Sequence, residues 1–206
     1  YSILILEKLP PEDTESYDNA LEIYNASQKA KRIISRLSNL SRKGVPGEPR
    51  PVRLDPLAAQ VLEVAAPARP KNVRVETGFA AGDGLILGDE TQLFQLTLNL
   101  VLNAFEALSA QGGTVRVSTA ARGGRVTLRV ADNGPGVPDE VKAQIFDPFF
   151  TTKGSGKGIG LGLAIVQQIV EAHGGAISLD SAQGQGTAFT VSFPAAPPEG
   201  EGPPPA

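Results

Sequence analysis

At 206 residues with 41% apolar side chains, the chain is long enough for one domain of ordinary size plus an appendage. A formal net charge of -3, from 19 basic and 22 acidic residues mixed along the sequence, leaves no footprint for nucleic acid or an anionic membrane surface. With no cysteine, disulfides and thiolate metal sites are excluded, which fits a reducing, cytoplasmic setting.

Near the start the longest apolar run is Ile3 to Leu6, far short of the roughly 20 residues that span a bilayer, so no membrane contact is expected from it. Opening on Tyr1, the chain is expected to be a piece of a longer protein, which leaves room for an anchor upstream. Ser2 to Leu9 reads as the tail of one helix and Thr14 to Arg42 as a second, long one. In the latter, Tyr17, Leu21, Tyr24, Ala30, Ile33, Ile34, Leu37 and Leu40 recur at helical spacing with polar residues between. Pro10 and Pro11 ahead of Glu12 and Asp13 suit a helix entry, and Gly44, Pro46, Gly47, Pro49 and Pro51 end it. Roughly 29 residues at about 1.5 Å each make a rod of about 44 Å, too long to bury its stripe alone and so expected to pack on another helix.

From Val52 strands and helices alternate. Val52 to Leu54 and Val73 to Glu76 read as short strands around a helix at Pro56 to Ala66, and Leu85 to Leu87 is an apolar run before Gly88. A helix from Glu90 to Ala110 follows. Thr114 to Ala120 and Arg125 to Ala131 alternate cleanly about Gly123-Gly124 and predict a hairpin. Ile159 to Ala172 reads as a helix stopped by Gly174-Gly175, and Ala176 to Asp180 with Thr187 to Phe193 as a last strand pair. The pattern predicts a two-layer α/β sandwich, its mixed, mostly antiparallel sheet covered by helices on one face. Rich in Pro, Gly and Glu, the tail from Ala195 to Ala206 has nothing to bury and is expected to be disordered.

Three stretches carry chemistry. On the Glu90 to Ala110 helix, Gln92, Gln95, Asn99, Asn103 and Glu106 fall at steps of three and four and share one stripe, with no charged residue between Glu90 and Glu106. A plain solvent face usually carries Lys, Glu and Arg, whereas neutral amides in a row suit an ion already surrounded by phosphate oxygens. Asp132-Asn133-Gly134-Pro135-Gly136 ends a strand where the backbone can approach a ligand closely, but in isolation the motif reads first as an ordinary Asp-Asn-Gly turn. Phe149-Phe150-Thr151-Thr152-Lys153 runs into a glycine-rich loop, Gly154 to Gly162, that opens an apolar helix, and free N–H groups at such a helix start bind anions. Gly156-Lys157 is followed by Gly158 rather than Ser or Thr, so the mononucleotide P-loop does not fit, and the dinucleotide glycine spacing finds no match here either.

In order and spacing these segments resemble the catalytic domain of sensor histidine kinases, within the superfamily shared with DNA gyrase and MutL ATPase domains. Asn99 to Ala107 resembles that family's asparagine box, Asp132 to Gly136 its first glycine box, Phe149 to Lys153 its phenylalanine box and Gly158 to Leu163 its second glycine box. The resemblance covers about Pro51 to Pro194 and implies a Bergerat-type ATP-binding fold. Arg32 to Arg42 resembles the second helix of the family's dimerisation hairpin, which implies three parts: residues 1–48 a partial hairpin, 49–195 the ATP-binding domain and 196–206 the tail.

Carried over position by position, the resemblance implies Mg²⁺ on Asn103 with Asn99 near the same ATP phosphates, and Asp132 accepting from the adenine amino group. It implies that Gly134 and Gly136 let the chain pass close to the base, and that Thr187 supports Asp132. Lys153 and the backbone of Gly158, Gly160, Leu161 and Gly162 would hold the phosphates, with Asp147 to Lys157 forming a lid over them. The implied reaction moves the γ-phosphoryl group of ATP to a histidine nitrogen, for relay to an aspartate of a response regulator receiver domain, in a homodimer joined by the hairpin. The family's acceptor histidine sits in the first hairpin helix, ahead of this chain's start. The chain's one histidine, His173, reads as structural, a partly charged imidazole at the negative end of a helix dipole, so this fragment is not expected to phosphorylate itself. Three rivals remain at this level: an ATP-hydrolysing switch, a serine kinase of the anti-sigma type and a nucleotide-sensing module without chemistry. Hydrolysing relatives carry a glutamate where Asn99 stands, which disfavours the first, and the Tyr17 to Leu40 helix disfavours the second.

Overall fold

The computed structural model describes residues 49–151 and 160–196. The expected helix of Thr14 to Arg42, the Ser2 to Leu9 segment, the loop residues 152–159 including Lys153 and Gly158, and residues 197–206 lie outside the described residues.

The chain enters a short strand β1 (Arg50–Arg53) and passes directly into helix α1 (Leu54–Ala65). The helix starts two residues before the expected Pro56, because the first turn needs no amide donors and so tolerates proline inside it, and because Leu54 is buried there. Strand β2 (Val73–Ala80) leads to β3 (Leu85–Gly88), then helix α2 (Glu90–Ala107), the hairpin β4 (Gly113–Arg122) and β5 (Arg125–Asp132), helix α3 (Gly162–Ala172), and the pair β6 (Ala176–Ser181) and β7 (Thr187–Pro194). Strand β2 runs four residues past the expected Glu76 and through Gly78, because eight consecutive parallel pairs with β4 outweigh that glycine's poor strand preference. Helix α2 stops three residues short of Ala110, where the Gly112 N–H closes on the Leu108 carbonyl and a left-handed Gly112 (φ 75°) turns the chain into β4.

The main sheet has the order β2-β4-β5-β7-β6, parallel between β2 and β4 and antiparallel elsewhere. A separate two-stranded ribbon, β1 with β3, was not anticipated as its own sheet. Alternation sends Val115, Val117, Val126, Leu128, Val130, Val191 and Phe193 to one face, where all are buried together with Leu93, Leu96, Leu100 and Val101 of α2 and Ile165, Val166 and Ile169 of α3. The opposite face is polar and carries the Arg116–Glu76 ion pair at 2.6 Å. This is the two-layer α/β sandwich expected, with helices over one face of a mixed sheet. Among the described residues, no helix is long and apolar enough to cross a membrane.

Two polar locks fix the layers. The Asp55 carboxylate at the start of α1 accepts from the N–H groups of Ala81 and Gly82 and from the Thr119 hydroxyl, tying α1 to the ends of β2 and β4. At the far end of α3, His173 Nδ1–H donates to the Ile169 carbonyl at 2.7 Å while Nε2 accepts the N–H of Asp89, the N-cap of α2, at 3.0 Å. The expectation of a partly charged imidazole is corrected by this pairing: Nε2 must offer a lone pair to an N–H, so the ring carries its proton on Nδ1 alone. Its structural role stands.

Candidate functional site

Asp132 is the last residue of β5 and Thr187 the first of β7, and antiparallel register sets them opposite each other at one end of the sheet. Asp132 Oδ1 accepts the Gly134 N–H at 2.8 Å. Burial pushes the Asp132 carboxyl above the usual aspartate value, while backbone hydrogen bonds from Gly134 and Thr187 pull it back. A carboxylate held in that environment gains from any further donor that reaches it.

The glycines here answer a need for close approach. A Cβ on Gly134 would stand 2.7 Å from Asp132 Oδ1, and one on the left-handed Gly136 (φ 72°) would strike the Ala182 carbonyl. The turn after β5 therefore packs directly against the loop between β6 and β7, and the Gly184 N–H donates to the Pro135 carbonyl at 2.7 Å.

Helix α2 supplies the other wall. Asn103 and Asp132 both line one cavity of about 350 Å³, within the size range of small-molecule sites, and Gly136, Gly160 and Thr187 line it too. Its apolar lining includes Leu100, Ala104, Val137, Ile145 and Phe189, a surface suited to a flat ring. Asn99, one turn before Asn103, instead donates from Nδ2 to the Gly162 carbonyl at 3.4 Å and so tethers the start of α3 to α2. Gly162 faces Asn103, its Cβ position 3.8 Å from either amide atom. Leu161 is 0% exposed and does not line the cavity; it packs behind the start of α3. Because the first bond of α3 runs from the Ile165 N–H to the Leu161 carbonyl, the N–H groups of Gly162, Leu163 and Ala164 belong to its donor-rich first turn.

The chain on either side of residues 152–159 is tied together. Phe149, left-handed at φ 70° without being glycine and 60% exposed, donates its N–H to the Gly160 carbonyl at 2.8 Å, and Gly160 is itself left-handed at φ 69°. Phe150 and Thr151 turn toward the cavity.

The structure thus brings Asn103, Asp132, Gly136, Gly160 and Thr187 onto one cavity, with Asn99, Gly134, Leu161 and Gly162 packed just behind it. The apolar wall was missed in the sequence; Leu100 and Ala104 could have been found as helical neighbours of Asn103, and Val137 as the first apolar residue after the glycine turn. As for a cation, no group of three or more His, Cys, Asp or Glu side chains gathers among the described residues. One neutral amide oxygen beside a helix start with free N–H groups fits magnesium, which keeps much of its water and takes few protein ligands when phosphates accompany it.

The family profile described as "Histidine kinase-, DNA gyrase B-, and HSP90-like ATPase" matches residues 88–197. Sensor histidine kinase ZraS of Salmonella typhimurium is 37% identical over 189 residues, covering 89% of this chain and 39% of its own length. The chain therefore spans about two fifths of that relative. Among solved structures, a mycobacterial sensor histidine kinase, MprB, is 32% identical with a TM-score of 0.64, covering 72% of this chain and 99% of its own. Histidine kinase ThkA, solved in complex with the response regulator protein TrrA, is 28% identical with a TM-score of 0.73, covering 96% of this chain and 56% of its own.

Proposed function

The chain belongs to the histidine kinase-, DNA gyrase B- and HSP90-like ATPase family and carries an ATP-binding domain of the sensor-histidine-kinase type, and from that premise we propose that it delivers the γ-phosphoryl group of ATP to a histidine outside these 206 residues. The observation that carries the reading is the meeting of Asn103 and Asp132, from a helix and a strand end, on one cavity. Asp132 receives the amino group at the six-position of adenine, where guanine offers a carbonyl, and the apolar wall of Val137, Ile145 and Phe189 takes the ring. Asn103 would hold magnesium, which when bound would supply positive charge to offset that of the phosphates. The first turn of α3 and Lys153 hold the phosphate oxygens, while Asn99 keeps that turn against α2. Catalysis by this domain is then chiefly positioning and electrostatic neutralisation.

An amide at position 99 cannot act as a general base, which sets this site apart from one that activates water. His173 has both ring nitrogens engaged in the core and is not the acceptor. In the whole protein the acceptor belongs to a helical hairpin to which residues 1–48 contribute, a homodimer forms through that hairpin, and an aspartate of a receiver domain takes the phosphoryl group next. The assay is direct. This chain is mixed with Mg·ATP and a separate polypeptide bearing a histidine-containing hairpin, and acid-labile phosphate is followed on each. Phosphohistidine on the hairpin supports the reading; inorganic phosphate released without transfer, or label on His173, overturns it.

A further inference from the structure

Ser181, at the end of β6, was not among the residues expected to matter. A serine hydroxyl has one proton and two lone pairs, and here all three find partners. Its O–H donates to the Gly186 carbonyl at 2.8 Å, and its oxygen accepts the Val137 N–H at 2.9 Å. Thr187 Oγ1, at 3.2 Å, completes the set as the second donor.

Each partner belongs to a segment around the base-recognising Asp132. Val137 lines the cavity next to Asp132. Gly186 is pressed against the Asp132 backbone, so closely that a Cβ there would strike the Asp132 carbonyl. Thr187 lines the cavity and offers its backbone N–H to the Asp132 carboxyl. The Lys142 ammonium, paired with Asp139, also donates to the Ser181 carbonyl, which fixes the backbone of this residue from outside. One hydroxyl therefore joins the turn after β5 to the start of β7, the two segments between which Asp132 is held.

We propose that Ser181 is a positioning residue for adenine recognition, acting through Asp132 and the Val137 wall and never touching the nucleotide. The proposal rests on the reading of Asp132 as the acceptor of the adenine amino group. Without the hydroxyl, the Val137 N–H and Gly186 carbonyl lose their partner, and both segments are free to shift relative to the carboxylate.

The test compares ATP with ITP, in which a carbonyl replaces the six-position amino group and N1 carries a proton. Affinities are measured by titration calorimetry on the full chain and on Ser181→Ala, Ser181→Thr, Ser181→Cys, Asp132→Asn and the Asp132→Asn/Ser181→Ala double variant. Ser181→Ala is expected to weaken ATP binding by about tenfold, the scale of one to two lost hydrogen bonds, with ITP changed less than about twofold. Ser181→Thr, which retains the hydroxyl, restores the preference for ATP, and Ser181→Cys, a weaker donor of similar volume, falls between. In the double variant the serine change adds nothing to Asp132→Asn, because the group it positions is already altered. Equal losses for ATP and ITP, additive effects in the double variant, or no rescue by threonine would reduce Ser181 to a general loop support and overturn the proposal. If Asp132→Asn itself leaves the preference for ATP intact, the reading of Asp132 fails and the proposal with it; if only Ser181→Ala leaves it intact, the proposal fails alone.

Discussion

Asp132→Asn separates the charge of the site from its shape. The asparagine carbonyl oxygen can still accept the Gly134 N–H, which in the wild type donates to Oδ1 at 2.8 Å, while the negative charge offered to the proposed adenine contact is gone. A hydrogen bond to a charged acceptor contributes about 1.5–3 kcal/mol, so the variant is expected to bind ATP about 10- to 150-fold more weakly. Stability without nucleotide is expected to move the other way. Burial holds the Asp132 carboxyl above the usual aspartate value against the pull of the Gly134 and Thr187 backbone, so the folded protein keeps a proton that the unfolded chain has released. With more protons on the folded state, stability falls as pH rises from the ordinary value of 3.8 through the raised one, and the ionised carboxylate opposes folding above that window. Asp132→Asn is therefore expected to melt no lower than wild type at neutral pH and to flatten the acid-side slope. Calorimetric titration with a non-hydrolysable ATP analogue reads the first effect and thermal melts across the acid range read the second. Unchanged affinity would refute the ligand role, and a variant that melts lower at neutral pH would refute the account of the carboxylate's burial.

Asn103→Ala is expected to weaken ATP binding by about tenfold or more in the presence of magnesium and hardly at all in its absence, as paired titrations with and without chelator would show. His173→Ala removes the acceptor of the Asp89 N–H, the bond to Ile169 and an edge-on contact with Phe193 at 6.0 Å between ring centres. A loss of about 2–4 kcal/mol in urea denaturation is expected, with any transfer activity lost only in proportion to unfolding. Gly136→Ala forces an alanine into a left-handed backbone, a cost of about 1–2 kcal/mol, and drives its Cβ into the Ala182 backbone, so both melting temperature and ATP affinity should fall. Gly184→Ala, equally left-handed at φ 77° with nothing within 4 Å of the new Cβ, should lower the melting temperature alone.

The elements legible from sequence were those whose signal lies within a few residues. The amide stripe on α2, the Gly123-Gly124 hairpin and the glycine turn after Asp132 each follow from a local period or a backbone that only glycine adopts readily. Element ends were less legible, because Leu54 joins α1 and Gly78 stays in β2 for the sake of partners far along the chain.

What only the tertiary structure decided is which of these local pieces touch. Asp132 meets Thr187 across 55 residues of chain, Asn99 reaches Gly162 across 63, and the Ser181 hydroxyl lies at the join of two loops that sequence reading treated separately. The tautomer of His173 likewise depends on an N–H 84 residues away. Local rules bias torsions and faces, but the pairing of one face or strand end with another is settled by packing and by the need of every buried donor and acceptor for a partner, and that need is met across the whole fold.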